Sequence, residues 1–376
     1  MWLRNDGIRD LNITGMWSCA QWGDTLLGLR ADQMSIAVGD SARIWMRFTP
    51  EHNVYYRLPV VVATDGPDGF VALQFEAQGR WSQSYYSSTE NKSWAQLKSA
   101  LTTKLNQGTT NLGYNGARDQ MYGNLDNVNG QVTCIYTGRV ATFNTRAGAT
   151  ANNFNCEHTF PQSLFSSAEP MKSDIHHLFP CDESANTQRS NNPFGIITGT
   201  PAWSVGGSKR LSGVFEPRDA HKGDAARAMM YFVTRFGDYS SFYAQQAAVL
   251  EAWHQQFPPD SADRARNQGI AALQNTRNPY VDYPQIMERL ISLAGSPQPN
   301  LAAQHWASED TLELELWSWS VGPMLRRRLV VTNPGSDDLI LGAASLSAPN
   351  VNLIAGGNAD TLKPGELHVY EIEYPA

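Results

Sequence analysis

The chain has 376 residues, a formal net charge of −7 and 17% charged residues. That length predicts two or three domains, and the lack of an apolar run of about 20 residues excludes a membrane-spanning helix. Four cysteines, Cys19, Cys134, Cys156 and Cys181, lack C-x-x-C spacing, which argues against a structural zinc site and permits disulfides in an exported protein.

Met1-Trp2-Leu3-Arg4-Asn5 shows no basic stretch leading into an apolar one, so no signal peptide is read there; if exported, the chain has lost its leader. From Arg4 onward, alternating segments separated by Gly- and Asn-containing turns predict strands. Arg4–Ile13 aligns with Thr332–Leu341, with Asn, Gly, Asp and Leu at matching steps. Gly39-Asp40 before Ala42, Ile44, Met46 and Phe48 aligns with Gly365-Glu366 before His368, Tyr370, Ile372 and Tyr374. Period-2 alternation of this kind predicts antiparallel, immunoglobulin-like β-sandwich segments at both ends, over 1–81 and 297–376. Tyr56–Ala63 and Phe70–Ala77 extend the first copy, and Leu312–Ser318 is a candidate first strand of the second. Each copy looks incomplete at the opposite end, so the two are candidates to complete one another. The simplest role for these segments is as spacers or stabilisers, with their Trp and Tyr residues read as sandwich core or surface and not as base-stacking platforms.

Residues 82–296 differ. Helices are expected at Trp94–Leu105, Lys222–Phe236, Phe242–Gln256 and Tyr283–Ala294, with short strands at Gln131–Tyr136 and around Phe154–Cys156. The whole is α+β. Residues 1–81 carry 7 Lys/Arg and 9 Asp/Glu, residues 297–376 carry 4 and 10, and residues 82–296 carry 18 and 17. The acidity therefore sits in the flanks, mostly the C-terminal one, and the neutral middle segment leaves basic side chains able to line a cleft there.

The chemistry concentrates between Phe154 and Gly195. Hydrolysing a phosphodiester requires a base for the attacking water and neutralisation of charge on the phosphoryl and leaving oxygens. A neutral histidine, His158, suits the first task near pH 7. Glu157 and Asn186 offer a carboxylate and an amide oxygen to a hard cation such as Mg²⁺. The motifs are Glu157-His158…Pro161, Asp174-Ile175-His176-His177-Leu178-Phe179-Pro180 and Asn186-Thr187-Gln188-Arg189-Ser190-Asn191. Around them stand Tyr114–Arg118, Ile135-Tyr136-Thr137-Gly138, Phe215-Glu216-Pro217-Arg218 and Arg266-Asn267…Asn275-Thr276-Arg277-Asn278-Pro279.

Together these motifs resemble the bacterial endonuclease I family of His-Me finger (ββα-metal) nucleases, over roughly residues 84–293. The resemblance implies that His158 is the general base and that Glu157 and Asn186 hold the metal, Mg²⁺ with Mn²⁺ or Ca²⁺ as alternatives. It also implies a substrate of DNA and often RNA, little sequence specificity and 5′-phosphate products. Arg189 is expected either to contact a phosphate or the leaving group, or to form a structural salt bridge. Two positions depart from the family pattern: Cys156, where Arg is common, and Tyr283, where His often follows the Asp. Cys156 is expected to pair with Cys181 in a disulfide bracing the site.

Several residues have plainer readings. One of His176 and His177 is expected in the core, and Asp174 as a turn or capping group. A zinc site from Cys156, Cys181, His158 and His176 fits poorly beside the oxygen donors. Lys222 and Arg227, five apart near one helix face, form either a substrate-phosphate stripe or an ordinary ion-paired surface. The leading reading is a secreted or periplasmic endonuclease. Its rival is a surface-binding or adhesion protein with an inert nuclease-like domain.

Overall fold

The computed structural model describes residues 1–18, 27–66, 69–290, 293–294, 306–307, 324–333, 338–347, 350–363 and 366–375. The chain separates into two compact units: Gln83–Pro299, and Met1–Ser82 together with Asn300–Ala376. The architecture is α+β, with antiparallel sheets in the second of these units and most of the helix in the first.

In the β-rich unit, one sheet orders Trp2–Arg4, Ser41–Phe48 and Leu27–Ala31. Another orders Ser35–Ile36, Leu11–Ser18, Tyr55–Thr64 and Phe70–Gln78. Alternation along Ser41–Phe48 buries Ala42 and Ile44 and leaves Arg43, Trp45 and Arg47 exposed. The inward residues Leu3, Ile13, Ile36, Ala42, Ile44 and Val62 form a single core cluster. Near the C-terminus, Met324–Thr332 pairs along its whole length with Leu367–Pro375, and Leu367 and Val369 pack against Val61 and Phe70.

The sequence repeat corresponds to one local design used twice. The Asn5 N–H donates to the Asp40 carbonyl at 3.0 Å, and the Asn333 N–H donates to the Glu366 carbonyl at 3.1 Å. The preceding residues pair equivalently, Arg4 with Ser41 and Thr332 with Leu367. Both asparagine side chains are buried donors, to the carbonyls of Ile36 and Leu362, each at 2.8 Å. The candidate strand Leu312–Ser318 lies outside the described residues.

The other unit is organised by the helix Asp219–Phe236, which buries Ala225, Ala226, Met229, Met230, Phe232 and Val233. Phe232 stacks on Phe160, with centroids 4.1 Å apart and planes at 11°, and also meets Phe165 and His177. Trp94–Asn106 is helical as expected. The expected helix at 242–256 is a single turn, Ala244–Gln246, followed by Ala247–Gln256. The one expected at 283–294 is Pro279–Asp282, capped by Asn278, followed by the 3₁₀ turn Pro284–Arg289. A helix at Ser261–Gln274 was not anticipated. Its buried residues are Asn267, Ile270 and Gln274, so its inner face carries almost no apolar stripe, although Asp260 and Asp263 cap it reciprocally.

Candidate active site

The strand Phe154–His158 pairs antiparallel with Leu178–Asp182, and the chain then turns directly into the helix Glu183–Arg189. Side chains alternate along a strand, so Asn155 and Glu157 share one face while Cys156 and His158 share the other. Asn186 lies on the first face: its Nδ2 donates to Asn155 Oδ1 at 2.8 Å and to the Cys156 carbonyl at 3.3 Å. Glu157 is buried. Its Oε1 accepts from the Tyr136 hydroxyl at 2.8 Å and faces Arg189 Nε at 3.2 Å. Burial pushes the Glu157 carboxyl up to about 6, against the opposing pull of Arg189 and Tyr136. Arg189 is only 1% exposed. It also donates to the carbonyls of Thr159 and Ser190, and its guanidinium lies over Phe194.

His158 closes the strand. Its Nε2 lies 3.1 Å from the Lys172 carbonyl. A carbonyl only accepts, so Nε2 carries the hydrogen and Nδ1 keeps the lone pair. Burial, followed by the neighbouring His177, pushes the imidazole down to about 3, so it is neutral at neutral pH. The Tyr114 ring lies 5.5 Å from that of His158. Arg118 sits 4.1 Å and Lys172 Nζ 5.0 Å from the centre of the Tyr114 ring. Among the described residues neither cation has a carboxylate partner; Arg118 Nη2 donates to Asn115 Oδ1 at 2.7 Å, and its Nε is buried without an acceptor. Tyr114 and Arg118 carried no assigned role in the sequence. They stand some forty positions before His158, and no local pattern links them to it.

The endonuclease I family profile matches residues 93–285, half of the chain. The chain belongs to the endonuclease I family. It is 30% identical over 227 residues to an extracellular ribonuclease of Bacillus amyloliquefaciens, covering 54% of this chain and 76% of that one. A Bacillus subtilis extracellular ribonuclease is 31% identical over 222 residues, again covering 54% and 76%. An extracellular deoxyribonuclease of Aeromonas hydrophila is 33% identical over 117 residues, covering 30% of this chain and 50% of that one. The protein is a nuclease, a hydrolase acting on phosphodiester bonds of nucleic acid.

Other residues of this endonuclease I family member hold the scaffold. Asp174 caps the turn that carries the two histidines by accepting from the His176 N–H at 3.1 Å, and it accepts from Arg235 at 2.6 Å and from the Tyr231 hydroxyl at 2.9 Å. His176 and His177 are both buried and bonded to the carbonyls of Thr276 and Met171. Arg266 pairs twice with Asp126 and donates to the Leu178 carbonyl, steadying the second strand of the ribbon.

Two expectations need correction. Lys222 and Arg227 do not form an open phosphate stripe. Lys222 is paired with Glu216 at 2.8 Å and Asp219 at 2.7 Å; Arg227 is buried against Asp224 at 2.8 Å and Asp263 at 2.9 Å. Nor do Cys156 and Cys181 form a disulfide; both are free, as is Cys134. The register explains this: Cys181 lies opposite Asn155, and Cys156 opposite Pro180, so the two thiols leave opposite faces of the ribbon. Cys181 instead faces Cys134, with sulfurs 3.9 Å apart. Cys19 lies outside the described residues.

Proposed function

We propose that this nuclease is a secreted, divalent-metal-dependent endonuclease of low sequence preference that cuts DNA and RNA to 5′-phosphate ends. His158 is its general base, and Glu157 and Asn186 hold the cation, Mg²⁺ or, with the same oxygen donors, Mn²⁺ or Ca²⁺. The observation that carries this reading is the His158 Nε2 bond to the Lys172 carbonyl, which fixes the tautomer and leaves Nδ1 free to accept a proton. The donor set suits a hard cation. Among the described residues, the Glu157 contacts all fall on Oε1 and both Asn186 bonds run through Nδ2, leaving a carboxylate oxygen and an amide oxygen. When bound, the cation neutralises charge growing on the phosphoryl and leaving oxygens. The extracellular and periplasmic relatives support export.

His158 Nδ1 takes the proton of the attacking water. Its depressed pKa keeps it unprotonated while waiting, and an arriving phosphate, being negative, raises it toward a working range. Arg118 and Lys172, lacking carboxylate partners, grip the phosphate beside Tyr114. Phosphate contacts carry no base information, hence the low sequence preference. Arg189 is a positioning residue that orients Glu157. The deciding experiment is plasmid nicking by His158→Ala with DNA affinity measured in parallel. Removing a positioned proton acceptor is expected to slow turnover by about 10²–10⁴-fold with affinity unchanged. Cutting at a near wild-type rate would reject His158 as the base.

A further inference from the structure

The three-stranded sheet of Trp2–Arg4, Ser41–Phe48 and Leu27–Ala31 has one face in the core and the other in solvent. Register places Trp2 across from Arg43 and Arg30 across from Trp45. These four side chains lie on the outward face, joined by Arg47 one step further along the central strand. They form a ladder: the Arg43 guanidinium is 3.7 Å from the centre of the Trp45 ring and 5.8 Å from that of Trp2, and Arg30 lies 6.0 Å from Trp45. Trp2 is 65% exposed and Trp45 is 42% exposed. Among the described residues Arg30, Arg43 and Arg47 have no carboxylate partner. Three acids border the sheet: Asp6 is paired with Arg4 at 2.8 Å, Asp32 accepts the backbone N–H of Arg43 at 2.8 Å, and Asp40 accepts the backbone N–H of Ser41 at 2.7 Å.

Two indoles and three uncompensated guanidinium groups in solvent fit a partner that is both polyanionic and aromatic. Guanidinium groups pair with phosphates, releasing counterions from the strand. Indole faces stack on unpaired bases of any identity. A sulfated or carboxylated polysaccharide would match the charge and could also lay sugar rings on the indoles; a nucleic-acid strand is favoured because the same chain carries a nuclease.

We propose that this sheet face is a second nucleic-acid-binding site, separate from the catalytic one, that holds single-stranded segments of the substrate by phosphate pairing and base stacking. Because both units belong to one chain, a strand held there is kept at high effective concentration near the enzyme. The site acts on long substrates and leaves the hydrolysis of short ones unchanged.

The test uses the full chain carrying His158→Ala, titrated against a fluorescein-labelled 30-nucleotide thymidine strand by fluorescence anisotropy over a range of salt, with the strand checked intact on a gel afterwards. The combined variant Arg30→Glu, Arg43→Glu, Arg47→Glu is expected to weaken binding at least tenfold and to lower the salt slope by about 2, at roughly 0.7 per lost phosphate contact on single strands. Trp2→Ala, a change at the most exposed indole, and Trp45→Ala are each expected to weaken binding about fivefold or more with the salt slope unchanged. In the active chain, the arginine variant should raise KM for long single-stranded DNA and leave cleavage of a dinucleotide as it was. Unchanged affinity in the arginine variant, in samples whose melting temperature matches the parent, overturns the proposal. So does a loss of affinity for heparin equal to that for DNA with neither Trp substitution having an effect, which would mark a general polyanion surface. Should the triple variant unfold, Trp2→Ala decides alone: wild-type affinity overturns the stacking site. Failure here leaves the catalytic reading untouched, because that reading is judged by turnover of His158→Ala.

Discussion

Four arginines of Gln83–Pro299 turn inward, whereas Arg4, Arg9, Arg30, Arg43, Arg47 and Arg80 of Met1–Ser82 turn outward. Arg189, Arg227, Arg235 and Arg289 are all buried, tied to Glu157, Asp224 and Asp263, Asp174, and the carbonyls of Thr89 and Lys92. Arg30, Arg43 and Arg47 lie on an exposed sheet face beside two indoles. Charge totals by segment point the other way, with more basic residues than acidic ones in 82–296 and the reverse in 1–81. A formal charge attracts a polyanion only when it is solvated and uncompensated. By that standard most basic residues of the catalytic unit are structural, and the cations left for a phosphate near His158 are Arg118 and Lys172.

Removing a buried cation tests that division most severely. Arg189→Met strands the Glu157 carboxylate in a site without its counter-charge. Breaking a buried pair from one side costs about 3–5 kcal/mol, so denaturant unfolding should show a loss of that order, with weakened cation binding in whatever fraction remains folded. A stability within about 0.5 kcal/mol of wild type would place Arg189 among the solvated cations and undo the contrast.

The next effect is one of pH. Burial lowers His158 to about 3 and His176 to about 4 from the ordinary 6.5. Their folded-state values lie below the unfolded one, so the unfolded chain binds more protons and the folded state weakens as pH falls from about 6.5 toward 4. Glu157, raised to about 6 from 4.5, works in the opposite sense, favouring the folded state at low pH and withdrawing that support as pH rises through 6. Two imidazoles outweigh one carboxyl, so thermal unfolding in EDTA should show a melting temperature that drops on acidification. The drop should be shallower in His158→Asn, and an identical slope would show that His158 is not held neutral by burial.

Smaller again is the effect of a single phosphate contact. Arg118→Gln should raise KM several-fold with kcat little changed and lower the salt slope on duplex DNA by about 0.9. If kcat falls while the slope stays put, Arg118 acts on His158 through Tyr114 and not on substrate.

How much of this was legible in the sequence follows from the distance over which each signal acts. The Glu157-His158 pair, the Asn186 segment and the helix at 94–106 could be read because motif order and apolar spacing are local properties. The terminal repeat was legible for the same reason, and its Asn5 and Asn333 prove to be equivalent buried donors. What escaped depends on register or on distant packing. The helix at 261–274 buries Asn267 and Gln274 and so lacks a stripe. The partner of Cys181 depends on which residue lies across the ribbon. Trp2 and Trp45 read from sequence as core or surface and not as a base-stacking platform, because only strand pairing sets the two indoles on either side of Arg43.

The smallest expected effect is none at all. Lys222 and Arg227 were candidates for a phosphate stripe as two cations close together on one helix, but five positions set side chains about 140° apart around it, and such a spacing serves a structural role equally well. Lys222 is held between Glu216 and Asp219, and a phosphate would have to displace one carboxylate and approach the other. Lys222→Gln should therefore leave KM and its salt dependence unchanged and shift only stability, modestly, since the freed Glu216 still has Lys209 at 3.5 Å and accepts from the Ile197 N–H at 2.9 Å. A KM that rises with that substitution, alongside a lowered salt slope, would mean that the helix carries substrate after all and that its ion pairs open when nucleic acid arrives.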